Sequence, residues 1–134
     1  MNVPSLWPEL QSHAQVSPLG ILRSQALWLQ KKTGGLLWGE IQTDSNDGQF
    51  SHRFFVAVPA LGDYRHELFS MQQGIEYYPV TMRRGSDTNR KKQKIHNDQE
   101  LLAWLKMAFE EEKPILDRLY TDSLPESERM TSAR

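Results

Sequence analysis

The side chains with chemistry to offer in this 134-residue chain are basic, aromatic and histidine groups spread over its middle third and the stretch after it. Arg53, Phe55, Arg65, Phe69 and Tyr77 all fall within a run of short apolar segments. Rings beside guanidinium groups are the composition of protein–protein interface cores. The same pairing could stack bases and hold phosphates. Arg83, Arg84, Arg90, Lys91, Lys92 and Lys94 crowd positions 83–94 against a single acid, Asp87. Such a run can grip phosphates or an acidic partner. It is also the ordinary composition of a solvated connector, and it holds no aromatic residue of its own.

Catalytic and metal chemistry find less support. The histidines are His13, His52, His66 and His96. His52 and His66 are expected on adjacent strands, with Glu40 across from His52. A metal site needs three or four converging ligands, so this set reads as a cross-strand pair instead. The absence of cysteine removes disulfides, thiol nucleophiles and thiolate metal sites. Gly34 to Gly39 precedes a strand rather than a helix, unlike a phosphate loop. Asp44 and Asp47 lack calcium-loop spacing, and Glu110 to Glu112 read as a solvated helix face. No serine sits in a nucleophile elbow. No catalytic residue, metal or cofactor is assigned.

The elements that position these residues follow from local signals. Residues 1–16 hold two prolines and form an irregular lead-in, with Leu6 and Trp7 expected to dock on the body. Ser17-Pro18 starts a helix, because Ser caps it and Pro suits its first position. Leu19, Leu22, Ala26 and Leu29 recur at helical spacing, Lys31 and Lys32 suit the C-terminal end of the dipole, and Gly34 ends the helix. Four strands follow, at Leu36–Thr43, Phe50–Val58, Tyr64–Met71 and Ile75–Met82, joined by short turns as in an antiparallel meander. Pro79 cannot donate to a ladder, which makes the fourth strand an edge. Residues 83–96 read as a polar loop. Asn97 or Asp98 then caps a helix carrying Leu101, Leu102, Leu105 and Phe109, which Pro114 kinks or divides from a second helix. The expected fold is thus α+β: an N-terminal helix, a four-stranded antiparallel meander, and one or two C-terminal helices. The domain spans 17–123, and 124–134 form a flexible tail.

Pairing each hairpin about the centre of its turn sorts the side chains. One face collects Leu36, Trp38, Phe54, Val56, Val58, Tyr64, Leu68, Tyr78, Val80 and Met82, an apolar core face. The other collects Leu37, Ile41, Arg53, Phe55, Ala57, Arg65, Glu67, Phe69, Met71, Ile75 and Tyr77. A slip of one residue would exchange the faces. The mixed face has three readings: a second covered layer, an association surface, or a nucleic-acid platform.

Hydrophobic residues make up 38% and charged residues 25%, ordinary for a globular domain, and the net charge of −1 creates no whole-molecule attraction to nucleic acid. No apolar run approaches the roughly 18 residues of a membrane span, and the N-terminus lacks a signal pattern. A cytoplasmic location is expected.

The blocks Ser17 to Ala26, Thr33-Gly34-Gly35, Val58 to Tyr64, Leu68-Phe69 and Tyr78-Pro79-Val80 resemble those of short bacterial proteins without assigned activity. The resemblance covers about residues 17–120. It implies a stand-alone bacterial domain with an adaptor, immunity or antitoxin-like binding role, and it transfers no site. The expected function is therefore non-catalytic protein binding. It includes homodimerisation through Arg53, Phe55, Arg65, Phe69 and Tyr77 on the mixed face. Nucleic-acid binding through the basic stretch 83–94 and the sheet aromatics is the alternative.

Overall fold

The computed structural model describes residues 2–12, 17–85 and 91–125. Helix α1 (Pro18–Lys32) opens the domain. Strands β1 (Trp38–Asn46), β2 (Gln49–Val58), β3 (Tyr64–Gln73), β4 (Val80–Arg84) and β5 (Lys92–Ile95) follow, and helix α2 (Asp98–Ser123) closes it. The strands form one antiparallel sheet in the order β1-β2-β3-β4-β5. The α+β class and its helix–meander–helix order are as expected, with five strands in place of four.

Local chemistry sets the helix ends. Ser17 Oγ accepts the Gly20 N–H at 2.9 Å, with Pro18 in the first turn. At the other end Thr33 Oγ1 donates to the Leu29 carbonyl at 2.9 Å and accepts the Leu37 N–H at 3.0 Å. One hydroxyl therefore closes α1 and anchors the start of the sheet. Asn97 caps α2 by accepting the Glu100 N–H at 2.9 Å, and Asp98 and Glu100 add negative charge to its first turn. Pro114 removes one backbone donor, yet α2 runs through it as a single 26-residue helix.

Register departs from the turn-centred pairing at two points. Between β1 and β2 the turn is only Asp47-Gly48, both with positive φ, so Asn46 faces Gln49 and Trp38 faces Ala57. A two-residue turn of this kind matches the twist of its strands. It displaces the pairing by an odd number of residues, which exchanges the faces of β1. Leu37 and Ile41 thus pack with the core, while Trp38 is exposed. Between β2 and β3, Phe55 faces Glu67 but Phe54 faces Phe69, which leaves Leu68 without an opposite residue. This β-bulge resets the alternation. Leu68, Phe69 and Met71 all join the core cluster.

The expected fourth strand is also displaced. Residues 75–79 lie outside the sheet, and the Tyr78–Pro79 peptide is cis. Pro79 therefore needs no edge position. The edges are β1 and β5, and β5 arises within the stretch expected to be a loop.

The core lies between one face of the sheet and the two helices. Phe54 stacks on Phe69 with centroids 5.0 Å apart, and Trp104 of α2 meets Phe69 edge-on at 5.4 Å. Phe109 lies 6.2 Å from both rings. Helix α1 seats on β1 over Gly39, where an added Cβ would fall 2.6 Å from Ala26. Both helices therefore cover the same face. Phe55 and Ala57 are buried outside this core, on the opposite face.

Candidate functional site

Two helices on one sheet face leave a channel between them. Its floor is Phe54, Val56 and Leu68. Gln25, Trp28, Leu29 and Lys32 from the second half of α1 form one wall, and Phe109 and Leu116 of α2 the other. The volume is about 480 Å³, within the range of ligand and peptide pockets. A smaller cavity of about 280 Å³ extends it along α2 past Gln25 to Leu102 and Leu105. Trp28 is 56% exposed on the rim, with Lys31 Nζ 5.6 Å from its ring centroid. Gln25 and Lys32 are the polar side chains of the main groove, and it contains no acid or histidine. This chemistry suits an apolar chain segment, with a cation at one end to accept a negative charge.

The groove was not among the expected site residues. Its trace in the sequence is the adjacency of Trp28 and Leu29, which makes the apolar surface of α1 wider than one buried stripe.

The expected partner-binding residues separate. Arg53, Phe55 and Arg65 share the sheet face opposite the helices. Arg53 lies 5.0 Å over the Phe55 ring and pairs with Glu67 at 2.5 Å, while Arg65 pairs with Glu40 at 2.8 Å. Phe55 is thereby 8% exposed beneath a layer of paired charges. Phe69 lies in the core at 0% exposure, which corrects its expected place on the mixed face; the bulge at Leu68 is the reason. Tyr77 is exposed in the segment between β3 and β4.

The basic stretch also divides. Register places Arg83, Lys92 and Lys94 on the open face, across the β4–β5 ladder, with Lys91 exposed just before it. Arg83 Nε is buried without a hydrogen-bond partner among the described residues. Arg84 turns to the helix side, where it pairs with Glu111 and, at 2.8 Å, with Glu112. It is a structural latch rather than a free cation. Arg90 lies outside the described residues.

His66 completes that latch, with Nε2 3.2 Å from Glu112 Oε2. The cluster ties β3 and β4 to the middle of α2, where Pro114 weakens the helix backbone. Burial pushes the Glu112 carboxyl up, but its hydrogen bonds with Arg84 and His66 prevail and hold it below its ordinary range. A depressed carboxylate stabilises the fold fully above its unfolded pKa, about 4.3, and loses that contribution as pH falls through the folded value. Glu112→Gln should therefore lower stability at neutral pH by about 1–3 kcal/mol. It should also flatten the acid limb of a urea-midpoint profile between about pH 5 and pH 3. Parallel wild-type and variant profiles would count against the latch.

His52 pairs with Thr43 rather than Glu40, its Nδ1 2.8 Å from Thr43 Oγ1. Burial, reinforced by the charge of Arg23, lowers its pKa. It is a neutral core histidine. Among the described residues no three histidine or carboxylate groups converge to hold a metal, and no helix is long and apolar enough to cross a membrane. His13 lies outside the described residues.

No protein-family model matches the chain, and no curated protein or solved structure matches it.

Proposed function

We propose that the protein is a non-catalytic protein-binding module that takes an apolar segment of its partner into the groove between α1 and α2. The observation that carries this reading is the groove itself: an apolar floor of Phe54, Val56 and Leu68 reached from solvent past an exposed Trp28. Apolar segments laid into such grooves are a recurrent mode of recognition, and tryptophan is enriched among the residues that dominate affinity. Selection of a displayed random-peptide library on the folded chain is expected to enrich apolar peptides. Trp28→Glu should weaken the enriched peptides by about 2 kcal/mol, roughly 30-fold. Lys94→Glu, on the opposite face, should leave them unchanged. No enrichment, or binding indifferent to Trp28→Glu, rejects the reading.

A second reading rests on the open sheet face. Arg83, Lys92 and Lys94 have no acidic partner among the described residues, unlike Arg53 and Arg65 on the same face. This half of the face could bind a single-stranded nucleic acid through its phosphates. Labelled single-stranded RNA should then bind at micromolar protein and low salt, and lose affinity steeply by 200 mM salt. Lys94→Glu should abolish the binding. Salt-insensitive or undetectable binding removes this reading.

A further inference from the structure

The chain carries its own candidate occupant for the groove. Residues 2–12 are exposed, with Val3 78%, Leu6 87%, Trp7 83% and Leu10 81% accessible to solvent. This corrects the expected docking of Leu6 and Trp7 on the body. Four large apolar side chains in eleven residues are costly to leave in water, since each contributes about 1.5–3 kcal/mol when buried. Pro4 and Pro8 restrict the arm to extended conformations, which lowers the entropy lost on docking.

We infer that the N-terminal arm of one copy docks in the α1–α2 groove of a second copy, with the exchange made reciprocally in a two-fold dimer. This inference rests on the reading of the groove as a docking site and names its occupant. The chemistry is complementary. Trp7 and Leu6 or Leu10 present an aromatic and an aliphatic side chain to a floor of Phe54, Val56 and Leu68. Glu9 is the one charged residue of positions 2–12, and Lys32 is the one charged residue lining the main groove. Size is also adequate. Eleven arm residues and nine groove residues give each protomer about twenty interface residues, the lower bound for a standard interface of about 800 Å² per partner. Exchange of a terminal segment is a low-cost route to a closed two-fold dimer.

The test is complementation between two full-length variants. Trp7→Glu spoils the arm and leaves the groove; Trp28→Glu spoils the groove and leaves the arm. Both positions are exposed within one chain, so the monomer fold should persist, as circular dichroism will report. At about 100 µM, above the micromolar limit for interfaces of this size, light scattering should give wild type twice the 15.6 kDa chain mass. Each variant alone should be monomeric. In an equimolar mixture the intact arm of Trp28→Glu still fits the intact groove of Trp7→Glu, one of the two exchanged contacts, so the mixture should associate more weakly than wild type but more than either variant alone. A monomeric wild type, or a wild-type dimer indifferent to Trp7→Glu or to Trp28→Glu, overturns the inference. Leu6→Glu with Leu10→Glu replaces Trp7→Glu if that variant is misfolded. Peptide binding to the groove of a monomeric wild type would refute the exchanged arm and leave the docking reading standing. Loss of both would refute both.

Discussion

Phe69→Ala is expected to destabilise the protein by about 3–5 kcal/mol, while Phe55→Ala, on the neighbouring strand, costs roughly half as much. The two residues are alike in type, and both are expected on the same sheet face if the strands alternate without interruption. The bulge at Leu68 separates them. Phe69 is fully buried, stacked on Phe54 at 5.0 Å and capped by the edge of Trp104 at 5.4 Å. Truncation removes these two ring contacts and a third to Phe109, and opens a cavity where strand and helix meet, a site with little freedom to collapse. Phe55 lies outside that cluster, beneath the Arg53 guanidinium at 5.0 Å. Its loss costs burial and a cation–π contact, but the long, partly exposed Arg53 side chain can settle into the space, and water is near. Chemical denaturation of both variants decides the matter. Equal losses, or the greater loss at Phe55, would mean that the bulge does not set the faces.

Gly39→Ala is expected to cost about 2–3 kcal/mol and to close or distort the groove. A methyl at Gly39 would lie 2.6 Å from both Cα and Cβ of Ala26 and 3.0 Å from the Phe54 ring. Backbone cannot yield as a flexible side chain can, so α1 must move away from β1. That helix supplies Gln25, Trp28, Leu29 and Lys32 to the groove wall. One methyl group should therefore weaken peptide binding as well as stability. Ala26→Gly removes only one of the two clashing atoms. The double variant should recover part of the lost stability, a coupling that a double-mutant cycle measures directly. Full recovery would place the contact at Cβ alone, and no recovery would place the strain elsewhere.

The groove and the latch together explain why the helices matter to any binding role. Arg84, His66, Glu111 and Glu112 hold α2 to β3 and β4. Gly39 holds α1 close to β1. The channel between the helices is thus bounded on each side by a specific contact and floored by the core residues Phe54, Val56 and Leu68. Binding there demands little rearrangement of the module, so the ordering cost falls mainly on the incoming segment.

Much of this protein was written in adjacent residues. Ser17-Pro18 and the terminal lysines define α1, Asn97 starts α2, and the aromatic and β-branched runs mark the strands, because caps, turns and propensities act over a few positions. The α+β order follows from these alone. The faces did not, because they depend on the parity of strand pairing. A two-residue turn at Asp47-Gly48 moved Leu37 and Ile41 inward and Trp38 outward, and a single unpaired residue, Leu68, brought Phe69 and Met71 into the core. Strand β5 was hidden for a related reason. Its four residues carry no strand signal, and their hydrogen bonds come from β4 across the ladder. Only the tertiary structure decided that both helices share one face and stop short of each other. That placement is set by long-range contacts such as Gly39 with Ala26 and Arg84 with Glu112, whose partners no local pattern specifies.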